Sequence, residues 1–212
     1  MKKVFISGSM SIKQLDGMVI GSLDKIISQN MQVLVGDAKG IDKLVQEYCA
    51  KNNYFNITVY TILDIPRNLI SNKFSVNKIL VNNLTGRKAQ EKKDEAMTKD
   101  SDYSFVIWDG KSKGSLNNIL RAIELKQKLK VFYQKENRFL KENELTKDNV
   151  VKIYYKNSGL TLQELSKYTN QNINSLREII KNYQEYFIYS KNKLNTKYSF
   201  ELIDKIKSSR LF

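Results

Sequence analysis

A repeated succession of an apolar run, a glycine turn and a helical pattern constrains the fold of this chain more than any other feature. The runs KKVFISGS, MQVLVGDAKG and DYSFVIWDG lead through glycine turns into helical patterns at 11–29, 41–51 and 116–128. Two further strands are predicted at 57–62 and 130–134. Strands that alternate with helices are typical of a parallel sheet covered on both faces. The sequence therefore predicts an α/β fold with a doubly wound, mostly parallel, Rossmann-like sheet over residues 1–137.

The pattern changes after residue 137, where a polar linker leads into three predicted helices and two aromatic, β-prone runs. The second and third helices lie in LTLQELSKYTNQNINSLREIIKNYQ, with Thr161 and Asn172 as N-caps, and the two runs flank the polar turn KNKLN. This order predicts a small winged helix-turn-helix domain at 138–212. The last of these helices would present to DNA the residues Asn174, Ser175, Arg177 and Lys181. A winged helix that contacts a protein, or only supports dimerisation, is also compatible with the pattern.

Composition narrows the chemistry that the chain can perform. The 212 residues include no histidine and one cysteine, which excludes Ser-His and Cys-His nucleophile pairs, an intramolecular disulfide and most zinc sites. We expect that cysteine, Cys49, to be a buried small hydrophobe. The 36 Lys and Arg residues against 22 Asp and Glu residues give a net charge of +14, which favours polyanions such as nucleic acid or nucleotides. We find no signal peptide and no membrane-spanning run, and we predict a cytoplasmic protein with no membrane partner, no metal site and no cofactor.

The glycine turns predict a ligand site, because a doubly wound sheet brings the carboxyl ends of its strands to one edge. Backbone N–H groups in such turns, at the start of a helix, suit a phosphate group. Lys39, Lys111 and Lys113 would add positive charge, and Trp108 would stack on a base beside a hydrogen-bonding Asp109. The predicted ligand-binding residues in these turns are Gly8, Ser9, Gly36, Asp37, Ala38, Lys39, Gly40, Asp42, Trp108, Asp109, Gly110, Lys111, Gly114 and Ser115. The alternative is that Gly36 and Gly40 only make a strand-to-helix turn, that Asp42 is a helix cap and that Trp108 is an ordinary core residue.

Residues 64–100 form a long polar connection that ends in a helical pattern at about 87–98. Long connections over strand ends often form functional lids, although a plain surface excursion explains the pattern as well. Arg67 and Arg87 lie in this connection, and arginine forks suit phosphate oxygens. We therefore add Arg67 to the predicted ligand-binding residues, with Arg87 as a second phosphate contact.

The segments FISGS, VGDAKGID and DYSFVIWDGKSKGSLNNILRAIELKQKLKVF resemble the Rossmann-like SLOG superfamily. This superfamily includes the Lonely Guy phosphoribohydrolases and the DNA-processing protein A family of bacterial recombination mediators, and the latter often carry a C-terminal winged helix. The resemblance covers residues 1–133. It implies a ligand edge for a nucleotide, a nucleotide-derived signal or single-stranded DNA, and a possible homodimer. By position, that edge is formed by Gly8, Ser9, Gly36, Lys39, Gly40, Asp42, Gly114 and Ser115.

Two positions depart from the patterns that the resemblance implies. Asn118 stands where the hydrolases and the related deoxyribosyltransferases have a glutamate, and an amide cannot act as a general acid or stabilise an oxocarbenium ion as a carboxylate does. Met10 stands where the DNA-processing family has an arginine. We therefore predict a binding protein with no catalytic residue. Two alternatives stay open: a nucleotide N-glycosidic hydrolase or transferase that uses Asp37, Asp94 or Asp109, and a recombination mediator that coats single-stranded DNA.

Overall fold

The computed structural model describes residues 1–188 and 196–208. The chain forms two compact units, residues 1–150 and residues 151–212. The predicted turn KNKLN, at 191–195, lies outside the described residues. No helix in the described ranges is long and apolar enough to cross a membrane.

The first unit is a seven-stranded sheet with four helices. Its strands are β1 (Lys3–Gly8), β2 (Gln32–Gly36), β3 (Ile57–Thr61), β4 (Ser75–Lys78), β5 (Tyr103–Trp108), β6 (Lys128–Tyr133) and β7 (Arg138–Phe139), and its helices are α1 (Gly17–Ser28), α2 (Ile41–Lys51), α3 (Gly86–Asp100) and α4 (Lys113–Glu124). The strand order is β4-β3-β2-β1-β5-β6-β7, and each pair is parallel except the antiparallel pair of β6 with β7. The predicted doubly wound, mostly parallel sheet is therefore confirmed.

Helices cover both faces of the sheet, and the side chains of β1 alternate between the two faces. Val4 and Ile6 belong to the core that contains Val19 of α1 and Val45 of α2. Phe5 points to the opposite face, where it packs with Met97 of α3. Cys49 of α2 is buried in the first of these cores, as predicted.

The strand order reverses beside β1. The chain proceeds outward from β1 through β2 and β3 to β4, and then returns along α3 to β5 on the other side of β1. In doubly wound sheets, ligands bind outside the carboxyl ends of the strands at such a reversal. The carboxyl ends of β1 and β5 are Gly8 and Trp108.

The second unit contains helices and one short hairpin. Following α5 (Lys147–Ser158), which crosses from the first unit, its elements are α6 (Leu162–Thr169), α7 (Ile173–Ile180), β8 (Phe187–Ile188), β9 (Lys197–Tyr198) and α8 (Leu202–Ser208). The two predicted N-caps are confirmed, since Thr161 accepts from the Glu164 N–H and Asn172 accepts from the Asn174 N–H. The strands β8 and β9 pair antiparallel, whereas α8 has no counterpart in the prediction. The winged-helix identity of this unit stays a prediction.

Candidate functional site

A cavity of about 380 Å³ lies at the reversal point of the sheet. Its floor comes from β1, one wall from α3 and the opposite wall from the start of α4. Volumes of this order are typical of small-molecule sites. The lining residues are Phe5, Ser7, Gly8, Met10, Ala38, Asp42, Arg67, Arg87, Gln90, Glu91, Lys93, Asp94, Met97, Ser112, Lys113, Gly114, Ser115 and Asn118.

The N-terminal turn of α4 faces the cavity. Ser112 is the N-cap, and its side chain accepts from the Ser115 N–H. The N–H groups of Lys113 and Gly114 belong to the first turn, whose donors have no acceptor within the helix. A Cβ at Gly114 would meet no described atom within 4 Å apart from its chain neighbours and its own helix backbone, and Gly114 lines the cavity. The turn therefore presents backbone donors and the positive end of the helix dipole to a ligand.

Asp109 holds the loop before α4 in place. Its carboxylate accepts from the N–H groups of Lys111 at 2.8 Å and Ser112 at 2.7 Å, and from the Ser11 hydroxyl at 2.7 Å. Burial opposes the ionisation of Asp109, but these hydrogen bonds outweigh it and lower its pKa. The Asp109 N–H donates to Ser9 Oγ at 3.1 Å, which ties the loop after β5 to the loop after β1.

The two glycines of the β2–α2 turn have different roles. Gly40 has a φ of +77°, and a Cβ there would lie 2.5 Å from Met10 Cα, so this position requires glycine for both its conformation and its contact with the loop after β1. A Cβ at Gly36 would lie 2.3 Å from Asp42 Oδ2 and 2.6 Å from Lys93 Nζ. The space beside Gly36 is therefore filled by two charged side chains of the protein.

Asp42 is a buried carboxylate at the edge of the cavity. One of its oxygens accepts from the Ala38 N–H at 3.1 Å. Burial raises the pKa of Asp42 to about 6, and nearby Asp94 and Asp37 add to this effect, while the charge of Lys93 and the Ala38 hydrogen bond oppose it. Asp42 can therefore change its protonation state near neutral pH.

Arg67 is bound to a second buried carboxylate. Asp37 has a fully buried side chain, and it accepts from Arg67 Nη2 at 2.5 Å, from the Arg67 N–H at 3.1 Å and from the Thr61 hydroxyl at 2.9 Å. Burial acts against the charged form, but the hydrogen bonds and charge of Arg67 prevail and lower the pKa of Asp37. Arg67 also donates to Gln90 Oε1 of α3 at 3.1 Å, so it joins the end of β2 to the α3 wall.

A chain of polar contacts joins α3 to α4 across the cavity. Lys93, whose side chain is 3% exposed, lies 3.2 Å from Asp94 Oδ1. Asp94 Oδ2 accepts a long 3.4 Å hydrogen bond from the Asn118 amide, and Asn118 Oδ1 accepts from Arg121 at 2.9 Å. The amide is thus oriented by a carboxylate on one side and a guanidinium on the other.

The structure separates the predicted ligand-binding residues into two groups. The cavity lining contains Gly8, Ala38, Asp42, Arg67, Gly114 and Ser115, together with Arg87 and Lys113. The lining does not include Ser9, Gly36, Asp37, Lys39, Gly40, Trp108, Asp109, Gly110 and Lys111. Trp108 requires a correction, because its indole is fully buried, donates to the Ser112 carbonyl and packs against Tyr133. The predicted stacking of Trp108 on a base is therefore not available.

Arg87 and Asp94 of the α3 wall were predicted from the sequence, but the other residues of this wall and part of the floor were not. Gln90, Lys93, Asp94 and Met97 recur at the spacing of one helical face, which was the available signal. That signal was missed because three of the four residues are polar and lie in a segment that also predicts a surface connection. Ser7 gave no signal, because a single serine in an apolar strand has many explanations.

The residues predicted to contact DNA lie on α7 and on the residue that follows it. Asn174, Ser175 and Arg177 are exposed, and Lys181 is exposed and pairs with Glu178 at 2.6 Å. Among the residues that the structure describes, no group of three acidic or cysteine side chains is arranged to hold a metal ion.

No protein-family model matches the chain, and no curated protein matches it. Among solved structures, DNA processing protein A from Helicobacter pylori, described for its single-stranded DNA binding mode, is similar to this chain with a TM-score of 0.49 and 15% sequence identity. The match covers 85% of this chain and 81% of that one. At this score, the similarity assigns no function to the chain.

Proposed function

We propose that the first unit binds a nucleotide, or a nucleotide within nucleic acid, through a phosphate group at the start of α4. The observation that carries this proposal is the open N-terminal turn of α4 in a cavity at the reversal point of the sheet. Lys113 lies in this turn, and Arg67 and Arg87 line the cavity as well. Backbone donors, a helix dipole and cationic side chains together suit a phosphate.

The acidic lining residues suit the rest of a nucleotide. Asp42, Glu91 and Asp94 would repel a second phosphate but accept hydrogen bonds from a ribose or a base. The lining is thus divided between the N–H donors and cations of the phosphate site and three carboxylates, which are Asp42 of α2 and Glu91 and Asp94 of α3. A neutral sugar or base on the acidic side and a phosphate on the other fit this division.

We further propose that the second unit contacts DNA through Asn174, Ser175, Arg177 and Lys181. Their exposure on α7 and just beyond it, and the net charge of +14 of the whole chain, support this role. The winged helix-turn-helix interpretation and a function in DNA processing belong to the same proposal. Contact with a protein partner is the alternative for this unit.

The phosphate site is tested by replacing Gly114 with aspartate in the full chain. An acidic residue in the first turn stabilises a helix, whereas its charge repels a bound phosphate. We expect Gly114→Asp to keep or raise the melting temperature and to weaken binding of nucleoside monophosphates at least tenfold by calorimetry. Gly17→Asp is the matched control, because Gly17 is also an open first-turn glycine, in α1. Equal affinities of the wild type and Gly114→Asp would refute the site.

The same titrations, run with short single-stranded and double-stranded DNA, separate the possible ligands. Binding of monophosphates without DNA binding supports a nucleotide sensor. Tight binding of single-stranded DNA that Gly114→Asp also weakens favours a protein that coats single strands.

A second candidate function is hydrolysis of a nucleotide N-glycosidic bond. Asp94 lines the cavity and is 23% exposed, whereas Asp37 is bound to Arg67 and Asp109 is bound to loop N–H groups. In this candidate function, Asp94 would replace the glutamate that the resembling hydrolases have at the position of Asn118. Chromatography of incubated nucleotides distinguishes the two functions: base release that disappears in Asp94→Asn favours hydrolysis, and intact nucleotides favour binding.

A further inference from the structure

One wall residue of the cavity has a buried hydroxyl group with no hydrogen-bond partner in the part of the chain that the structure describes. Ser7 lines the cavity and is 5% exposed, and its Oγ has no hydrogen-bond partner within residues 1–188 and 196–208. Buried hydroxyl groups of native proteins nearly always have a partner, because an unpaired group loses its hydration without compensation. An unpaired hydroxyl at a cavity wall therefore points to a partner that arrives with a ligand.

Asp94 adds an acceptor to the same cavity. Alternation along β1 places Ser7 on the sheet face of Phe5, against which Met97 packs, and Asp94 lies one turn before Met97 on α3. Asp94 Oδ1 pairs with Lys93, and among the described residues Oδ2 receives a single, long hydrogen bond of 3.4 Å from Asn118. A carboxylate oxygen has room for more than one donor.

We propose that Asp94 and Ser7 together receive a hydrogen-bond donor of the bound nucleotide, which is either an exocyclic amine of the base or the ribose 2′-hydroxyl. This inference rests on the proposed function and names the part of the ligand that these two side chains select. Phe5 and Met97 supply apolar surface beside the two polar groups. A ligand that presents a carbonyl here meets a carboxylate and is selected against.

The experiment measures nucleotide affinity by calorimetry for the full chain and for Ser7→Ala and Asp94→Asn. The titrants are AMP and CMP, their amine-free counterparts IMP and UMP, and 2′-deoxy-AMP. Ser104→Ala is the control, because Ser104 is also a buried strand serine, but its Oγ is hydrogen-bonded to Gln127 at 2.6 Å. Melting temperatures of the free proteins are measured alongside.

We expect opposite effects of Ser7→Ala on stability and binding. Removing an unpaired buried hydroxyl raises the melting temperature of the free protein, while AMP binding weakens about tenfold, as it does in Asp94→Asn. Ser104→Ala lowers the melting temperature and leaves AMP binding unchanged. If Ser7→Ala and Asp94→Asn bind IMP and UMP as tightly as the wild type does, the donor is the base amine. If they bind 2′-deoxy-AMP as tightly as the wild type does, the donor is the ribose hydroxyl.

The two proposals fail in different ways. AMP affinity that is the same in Ser7→Ala and the wild type overturns the inference, as does an equal loss for every titrant or a lowered melting temperature of free Ser7→Ala. In each of these cases the wild-type chain still binds nucleotides, so the proposed function is not contradicted. A wild-type chain that binds none of the nucleotides overturns the proposed function and this inference with it.

Discussion

Single charged residues determine the electrostatics of the cavity, and the pKa of Asp42 can be measured to test them. Its pKa of about 6 in the folded protein exceeds the ordinary value of 3.8. Below pH 3.8 Asp42 is protonated in both the folded and the unfolded protein. Its contribution to stability is therefore greatest there and is lost as the pH rises to about 6. The pKa difference corresponds to a loss of about 3 kcal/mol above that pH.

We expect Asp42→Asn to remove this pH dependence. The free energy of unfolding of the variant, relative to the wild type, should rise by about 3 kcal/mol between pH 3 and pH 7. Asp109, whose pKa is lowered, is present in both proteins and cancels in the comparison, whereas Asp37 interacts with the charge of Asp42 and contributes to the measured difference. Urea denaturation across this range measures the difference, and carbon NMR of the Asp42 carboxyl gives its midpoint. A midpoint near 4 would contradict the assigned environment.

The Asp37–Arg67 pair is asymmetric, since the carboxylate is fully buried and the Arg67 side chain is 38% exposed. Removing the arginine leaves a buried charge uncompensated, whereas removing the carboxylate frees an arginine that can reach water. We expect Arg67→Ala to cost about 3 kcal/mol in unfolding free energy, and Asp37→Asn to cost less. Chemical denaturation at pH 7 checks the order, and a larger loss in Asp37→Asn would mean that the Thr61 and backbone contacts dominate.

The roles of these residues could be predicted only in part from the sequence. In the sequence, Asp42 lies in the first turn of a predicted helix, where a cap is the simplest interpretation. Its burial beside Lys93 depends on a residue 51 positions later, on a helix that packs across the sheet. Local patterns contain no information on such a contact.

Secondary-structure elements could be predicted more fully from the sequence than the roles of single residues could. The roles of the glycines could not be predicted. Periodicity identified α1, α2 and α4, but α4 begins at Lys113 because Ser112 caps it, three residues before the prediction. The strand β4 was missed because Ser75–Lys78 is a mostly exposed edge strand with no apolar pattern. The sequence also does not distinguish glycines that pack closely against other atoms from glycines that have free space around them.

Three glycine-to-alanine substitutions test that distinction. We expect Gly40→Ala to destabilise the fold by about 2–4 kcal/mol, because its φ is +77° and its Cβ would meet backbone. Gly36→Ala should also destabilise the protein, since its Cβ would displace Asp42 and Lys93. Gly21→Ala in the exposed middle of α1 should stabilise it by about 0.5–1 kcal/mol. Thermal melts rank the three, and a tolerated Gly40→Ala would contradict the turn geometry.

At the scale of the whole molecule, the sheet topology explains why the position of the cavity could be predicted from the sequence but only part of its lining could. Glycine turns at the carboxyl ends of strands pointed to one edge, and the reversal between β1 and β5 places the cavity there. The α3 wall comes from the long connection that returns the chain to β5. Its helical face became meaningful only once the fold had placed it opposite α4.

The net charge of +14 gives the last prediction, because it can produce DNA binding without any specific site. Nonspecific binding depends on total charge, so any exposed lysine or arginine of the second unit would contribute equally to the salt dependence. A specific contact through α7 predicts instead that Arg177→Ala weakens DNA binding about tenfold and reduces the salt slope by about one. Lys167→Ala, which removes an exposed charge from α6, is the matched control.

Fluorescence anisotropy with labelled duplexes at several salt concentrations measures the salt dependence of DNA binding for Arg177→Ala and for Lys167→Ala. Nucleotide affinity is measured in the same variants. We expect Arg177→Ala to leave the affinity for monophosphates unchanged, because the cavity residues all belong to the first unit. Equal and small effects of Arg177→Ala and Lys167→Ala would assign DNA binding to overall charge. The α7 surface would then be a candidate for contact with a protein partner.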